Sequence, residues 1–171
     1  RVLLVGGGAG GVINQVLKYP VEKLIYVELD PKLIDLVREF PVKLTKEELS
    51  NDRLEIRFAD GRRELLDMIK RNEKVDVVIV NLPIPSTLQL NRFYTKEFFG
   101  EAASVLNDGG IFESSLPGSA SAMSPELINL NGSILATMRD VFPTVVIPGY
   151  TNIYLAAKEG VRLDKEILEK R

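Results

Sequence analysis

The residues that most constrain this chain are its first thirty. An apolar run, Val2 to Val5, breaks into the glycine string Gly6-Gly7-Gly8-Ala9-Gly10-Gly11, and a helical pattern follows. A second β-type run, Leu24 to Val27, then ends in Glu28-Leu29-Asp30. Strand, glycine turn, helix, strand and acidic residue is the order in which a βαβ unit holds an adenosine. Gly6, Gly8 and Gly11 satisfy G-x-G-x-x-G, a spacing that permits a tight turn and lets ligand atoms approach the backbone. An ordinary glycine-rich strand-helix turn has the same spacing. The position at the first βα junction, with Glu28 beyond it, favours the nucleotide reading. Glu28 offers two acceptor oxygens to two neighbouring ribose hydroxyls.

The remaining pattern continues this theme. Val12 to Tyr19 is helical and Pro20 closes it, and Asp30-Pro31 starts a helix to about Phe40, with Asp30 as its cap. Thr45-Lys46-Glu47-Glu48 has capping-box spacing, Leu54 to Ala59 alternates as a third strand, and Arg62 to Arg71 is amphipathic, starting on two arginines expected to be solvated. Val75 to Val80 is nearly continuous in apolar residues, as a central parallel strand buried on both faces would be, and opens into Asn81-Leu82-Pro83-Ile84-Pro85-Ser86. Ligands of open α/β sheets bind at the carboxyl ends of the strands, so Gly6 to Gly11, Glu28, Asp60 and Asn81 are expected to converge there. Asp60 can accept from an adenine amino group, with Gly61 leaving room for the base. Tyr94 and Tyr150 are phenols near that edge, suited to an amine or to packing.

A helix from about Thr95 to Leu106 leads to a fifth strand, Ile111 to Ser114, and Ser124-Pro125-Glu126 caps another helix to about Val141. Val145 to Pro148 and Ile153 to Ala157 flank a short turn, which makes them antiparallel. A Rossmann dehydrogenase continues parallel. The closing hairpin instead marks an α/β, Rossmann-like fold with the seven-stranded sheet of S-adenosylmethionine methyltransferases. The boundaries read as a nucleoside-binding domain over residues 1–158 and a charged tail over 159–171.

Composition narrows the chemistry. The 171 residues are 45% hydrophobic, enough for one domain with a doubly covered sheet. The formal charge is -2, from 22 basic and 24 acidic residues, with no basic track for a phosphate backbone, so no nucleic-acid partner is expected. Without cysteine or histidine, thiolate nucleophiles, imidazole bases and the usual zinc ligands are excluded, and no metal is expected. No apolar run approaches the roughly 20 residues of a membrane helix. A cytoplasmic, soluble domain is expected, and a start at Arg1 inside a strand, without Met, reads as part of a longer protein.

With these residues in view, the chain resembles the spermidine synthases, the polyamine aminopropyltransferases. The segments that carry the likeness run from Val2-Leu3-Leu4-Val5-Gly6-Gly7-Gly8 through Val21-Glu22-Lys23, Val27-Glu28-Leu29-Asp30 and Ala59-Asp60-Gly61-Arg62 to Val75-Asp76-Val77-Val78-Ile79-Val80. Leu82 to Thr87, Leu90 to Phe99, Leu116-Pro117-Gly118, Leu127 to Asn131, Val141-Phe142-Pro143 and Ile147-Pro148-Gly149 are similar to the subgroup in which this domain follows a membrane-embedded region. The resemblance implies binding of decarboxylated S-adenosylmethionine or methylthioadenosine, with Glu28 on the ribose and Asp60 near adenine. It also implies a small-molecule amine acceptor, a membrane region in the parent protein and a homodimer.

In the implied reaction a polyamine nitrogen attacks the aminopropyl carbon beside a sulfonium, while an aspartate takes the amine proton and other carboxylates hold the cationic chain. The family's glycine string carries an aspartate where this chain has Ala9, and its active-site loop carries aspartates where this chain has Asn81 and Ile84. An amide at Asn81 accepts hydrogen bonds but is no base, and Ile84 is apolar. Aminopropyl transfer to a polyamine is therefore expected to be impaired, with Asn81 and Tyr94 as the polar groups left at the reacting edge. Two alternatives stand beside it: an S-adenosylmethionine-dependent methyltransferase acting on a neutral acceptor, and a non-catalytic nucleoside-sensing module of a membrane protein.

Overall fold

Alternation and apolar runs become seven strands: β1 (Val2–Val5), β2 (Leu24–Glu28), β3 (Leu54–Phe58), β4 (Val75–Val80), β5 (Leu106–Pro117), β6 (Thr144–Ile147) and β7 (Thr151–Ala156). The protein is described by a computed structural model over residues 1–161; of the charged tail, residues 162–171 lie outside the described residues. The strands form one sheet in the order β3-β2-β1-β4-β5-β7-β6. β1 to β5 pair in parallel, whereas β7 pairs antiparallel with both β5 and β6. The expected closing hairpin is thus present, and its second strand inserts between the fifth strand and its own partner.

Helices α1 (Val12–Leu17), α2 (Pro31–Glu39) and α3 (Lys43–Leu49) cover the β1–β2–β3 half of one face, burying Leu4, Ile13, Tyr26 and Ile34. Helices α4 (Gly61–Lys70), α6 (Lys96–Val105) and α7 (Pro125–Arg139) cover the opposite face, over Val5, Val78, Phe99, Phe112 and Met138; the short α5 (Leu88–Asn91) lies in the connection after β4. Burial of these apolar side chains, at roughly 1.5–3 kcal/mol each, is the main favourable term of the fold. Side chains close the helix starts, at Asp30 and Ser124 as the sequence predicts. Asp30 accepts from Lys32 N–H at 3.0 Å, Asp60 from Arg63 N–H at 3.1 Å, and Thr95 and Ser124 cap α6 and α7.

Three expectations are corrected. Thr45 does not begin its helix: α3 starts at Lys43, and Thr45 Oγ1 accepts from the Val42 N–H at 3.1 Å one turn inside. The reason is Glu48, which turns inward to accept the Asn14 N–H at 3.0 Å and joins α3 to α1 instead of reaching back along its own helix. The fifth strand is longer than Ile111 to Ser114, because Leu116 and Pro117 go on to pair with Asn152 and Thr151 while Leu106 pairs with Val75 across an irregularity. β4 is also not covered on both faces, since Val77 and Ile79 are only half-buried on the side where the described helices stop at the β1–β3 half.

Candidate functional site

Register brings the site together. Val5 lies opposite Val27 on one side and Val80 on the other, so β1, β2 and β4 end level with one another. The turn residues then lock onto the neighbouring strand: Gly6 N–H donates to Val27 O at 3.1 Å, Asn81 N–H to Val5 O at 3.0 Å, and Ala59 N–H to Glu28 O at 3.0 Å. Above this edge lies a cavity of about 660 Å³ lined by Gly6, Gly7, Glu28, Asp60, Gly61 and Asn81, with apolar walls from Leu29, Leu33, Leu82, Pro83, Leu90 and Phe93. Its size lies within the range of small-molecule sites.

Glu28 is the best-organised group in it. Its Oε1 accepts the Asp30 N–H at 2.9 Å and its Oε2 the Tyr26 hydroxyl, and the residue is only 8% exposed. Each oxygen keeps a further lone-pair direction, so a fixed carboxylate faces the cavity with acceptor capacity to spare. Burial, and after it the hydrogen bond to Glu28 and that carboxylate's charge, push the Tyr26 phenol far above its ordinary range, which keeps it a donor to the carboxylate. Asp60 is more heavily engaged: Oδ1 caps α4, and Oδ2 pairs with the Arg92 guanidinium. Among the lining residues Glu28 and Asp60 are the acids and Arg92 is the cation.

Gly8, Gly11 and Tyr94 do not line the cavity. Gly8 supports it from behind, because a Cβ there would stand 2.7 Å from the ring of Tyr26, the side chain that holds Glu28. Gly11, at φ 104°, closes the turn and begins α1. The Tyr94 hydroxyl donates to Pro83 O at 2.9 Å and Leu82 O at 3.3 Å, and burial moves its phenol up to about 12. Tyr94 therefore ties down the loop after β4. Tyr150 is 83% exposed on the β6–β7 turn. Asn81 turns its amide to Gly7 O at 3.4 Å, and Ile84, 39% exposed, lies beyond the lining.

Sequence reasoning missed Tyr26 and the segment from Gln89 to Phe93. Tyr26 stands two residues before Glu28 on one strand, and that period of two puts both on the same face. The second miss follows from a helix of only four residues, too short to leave a periodic signature. Arg62 also departs from its expected solvated state: it forms a two-pronged pair with Glu101 at 2.8 and 2.7 Å and reaches Arg92 O at 3.5 Å.

With this geometry in place the comparisons with known proteins are decisive for family. The spermine/spermidine synthase domain matches residues 1–161. The chain belongs to that family. Relatives include a polyamine aminopropyltransferase of Korarchaeum cryptofilum, 36% identical over 111 residues, which are 65% of this chain and 33% of that protein. Polyamine aminopropyltransferase 1 of Bacillus cereus is 33% identical over 156 residues, 88% of this chain and 53% of the relative. The chain thus spans about half or less of the length of these family members. A spermidine synthase crystallised with the transition-state analogue AdoDATO superposes with a TM-score of 0.76 at 26% identity, covering 99% of this chain and 59% of that one. Human methyltransferase-like protein 13, in complex with SAH, has a TM-score of 0.75 at 22% identity, covering 98% of this chain and 77% of that one, and shares the fold. Among the described residues no helix is long and apolar enough to cross a membrane, and no group of three acidic side chains is arranged to hold a metal ion.

Proposed function

We propose that this spermidine-synthase-like domain binds an adenosine carrying a 5′-sulfur, decarboxylated S-adenosylmethionine or methylthioadenosine, with Glu28 on the ribose diol and Asp60 at the base. The observation that carries the reading is the Glu28 carboxylate, held by Tyr26 and the Asp30 N–H at the rim of a nucleoside-sized cavity. Two vicinal hydroxyls would donate to its two oxygens, and such charge-assisted hydrogen bonds are about twice as strong as neutral ones. The apolar walls suit a purine, and Asp60 supplies an acceptor for its amino group. The spermidine synthase crystallised with AdoDATO supports the same ligand class.

Transfer chemistry is a separate matter. Attack by an amine on the carbon beside sulfur needs a neutral nitrogen, and a diammonium substrate needs counter-charges. The edge of the cavity nearest the loop after β4 consists of Asn81, Leu82 and Pro83, none of which carries a charge. Loss of a general base costs about 10²–10⁴ in rate. Spermidine formation from putrescine and decarboxylated S-adenosylmethionine is the test: the domain is expected to be slow, and a folded variant with Asp at Ala9, Asn81 and Ile84 faster. Robust turnover by the unmodified domain would overturn this reading of the loop. The same uncharged loop favours one second reading, methyl transfer from S-adenosylmethionine to a neutral acceptor, which predicts preference for the carboxylated cofactor.

A further inference from the structure

Asp60 is the group the proposed function assigns to the base, yet both of its oxygens already have partners within the protein. Oδ1 holds the first turn of α4, and Oδ2 holds Arg92. Arg92 stands in the cavity wall with its guanidinium carbon 4.9 Å from the Phe93 ring centroid and its Nε donating to Gln89 O at 2.9 Å. Arg62, itself fixed by Glu101, reaches the Arg92 carbonyl at 3.5 Å and joins this backbone to α4. A planar cation is thus placed over an aromatic ring and against the one acid positioned to recognise a purine amino group.

We propose that Arg92 occupies the nucleobase subsite in the absence of ligand, so that adenine binding exchanges a guanidinium for an amino group on Asp60. The inference rests on the nucleoside reading above. Its physical content is a competition. The Asp60 and Arg92 side chains are 26% and 40% exposed, so the pair is partly hydrated and screened by salt. Base binding must separate or reorient that pair, and the separation lowers apparent affinity by whatever the pair contributes. Once displaced from Asp60, the guanidinium has the Gln89 carbonyl, the Phe93 ring face and solvent as partners. Arg92 is therefore a specificity-determining residue: a base without an exocyclic donor gains nothing from Asp60 with which to offset the lost ion pair.

The test is calorimetric titration with methylthioadenosine of the wild-type chain, Arg92→Gln and Arg92→Lys, each in low and high sodium chloride. Gln keeps the stem and removes the charge, and Lys restores a charge without the fork. An exposed ion pair is worth up to about 1 kcal/mol, so Arg92→Gln is expected to bind about two- to fivefold more tightly, with Arg92→Lys between it and wild type. Wild-type affinity is expected to rise with salt, and that of Arg92→Gln to stay flat. Equal or weaker binding by Arg92→Gln, with the same salt response as wild type, overturns the inference and makes Arg92 a direct support of the ligand. The salt series on wild type decides the matter alone if the variants do not fold. Absence of methylthioadenosine binding in every protein at every salt concentration instead overturns the nucleoside reading on which the inference stands.

Discussion

Glu28 is the residue on which the proposed recognition turns. Replacement by Gln retains the shape, the Asp30 N–H contact and one acceptor, but loses the charge and offers a donor where the Tyr26 hydroxyl already donates. Hydrogen bonds to charged groups contribute about 1.5–3 kcal/mol, so Glu28→Gln is expected to weaken methylthioadenosine binding at least tenfold in calorimetry; unchanged affinity would remove Glu28 from the site. Gly8 gives a less obvious prediction, because it touches no part of the cavity. A Cβ 2.7 Å from the Tyr26 ring must push that ring, and with it the Glu28 carboxylate. Gly8→Ala is expected to reduce nucleoside affinity several-fold and stability by about 1–3 kcal/mol, both read on purified protein by titration and urea melts. The glycine motif was legible in the sequence as a tight turn at the first βα junction, but the division of labour within it was not. G-x-G-x-x-G is a backbone statement, whereas the role of Gly8 depends on a ring one strand away.

At the scale of elements, the loop after β4 and the strand β5 carry the contrasts. Tyr94 pins the loop through Pro83 O and Leu82 O, so Tyr94→Phe is expected to cost about 1 kcal/mol and to make the bonds between residues 82 and 86 more sensitive to protease, with nucleoside affinity little changed. A large loss of affinity would instead give the hydroxyl a direct part in binding. On β5, burial pushes the Glu113 carboxyl up to about 7. Its neutral form is favoured in the fold, so its contribution is complete below the ordinary value of 4.5 and is lost as pH rises through about 7. Glu113→Gln should therefore raise stability at pH 8 by about 1–3 kcal/mol and leave it unchanged at pH 4; equal shifts at both pH values in urea melts would contradict that account. Strand and helix positions followed from periodicity and caps, as at Asp30-Pro31 and Ser124-Pro125. The α5 segment did not, since four residues cannot display a period, and Arg92, the cation of the cavity wall, is the residue that caps its end.

For the whole molecule, sheet topology was the most legible feature. Two apolar runs around Gly149-Tyr150-Thr151-Asn152 required an antiparallel pair, and an antiparallel β7 is what separates this sheet from a wholly parallel one. Convergence of Gly6, Glu28, Asp60 and Asn81 followed from the same topology, because parallel strands in register end on one edge. The pairing of Asp60 with Arg92 was hidden, since it depends on a side-chain contact across separate elements. The same logic divides function. The elements proposed to hold a nucleoside lie together at one edge of the sheet, whereas Ala9, Asn81 and Ile84 stand where the resemblance implies carboxylates. Binding without efficient polyamine chemistry is the central claim. It is tested most directly by titrating this domain with methylthioadenosine and decarboxylated S-adenosylmethionine alongside S-adenosylmethionine and NAD. The account predicts saturable binding of the first two, weaker binding of S-adenosylmethionine and none of NAD. Preference for S-adenosylmethionine, or no binding of any of the four, would contradict it.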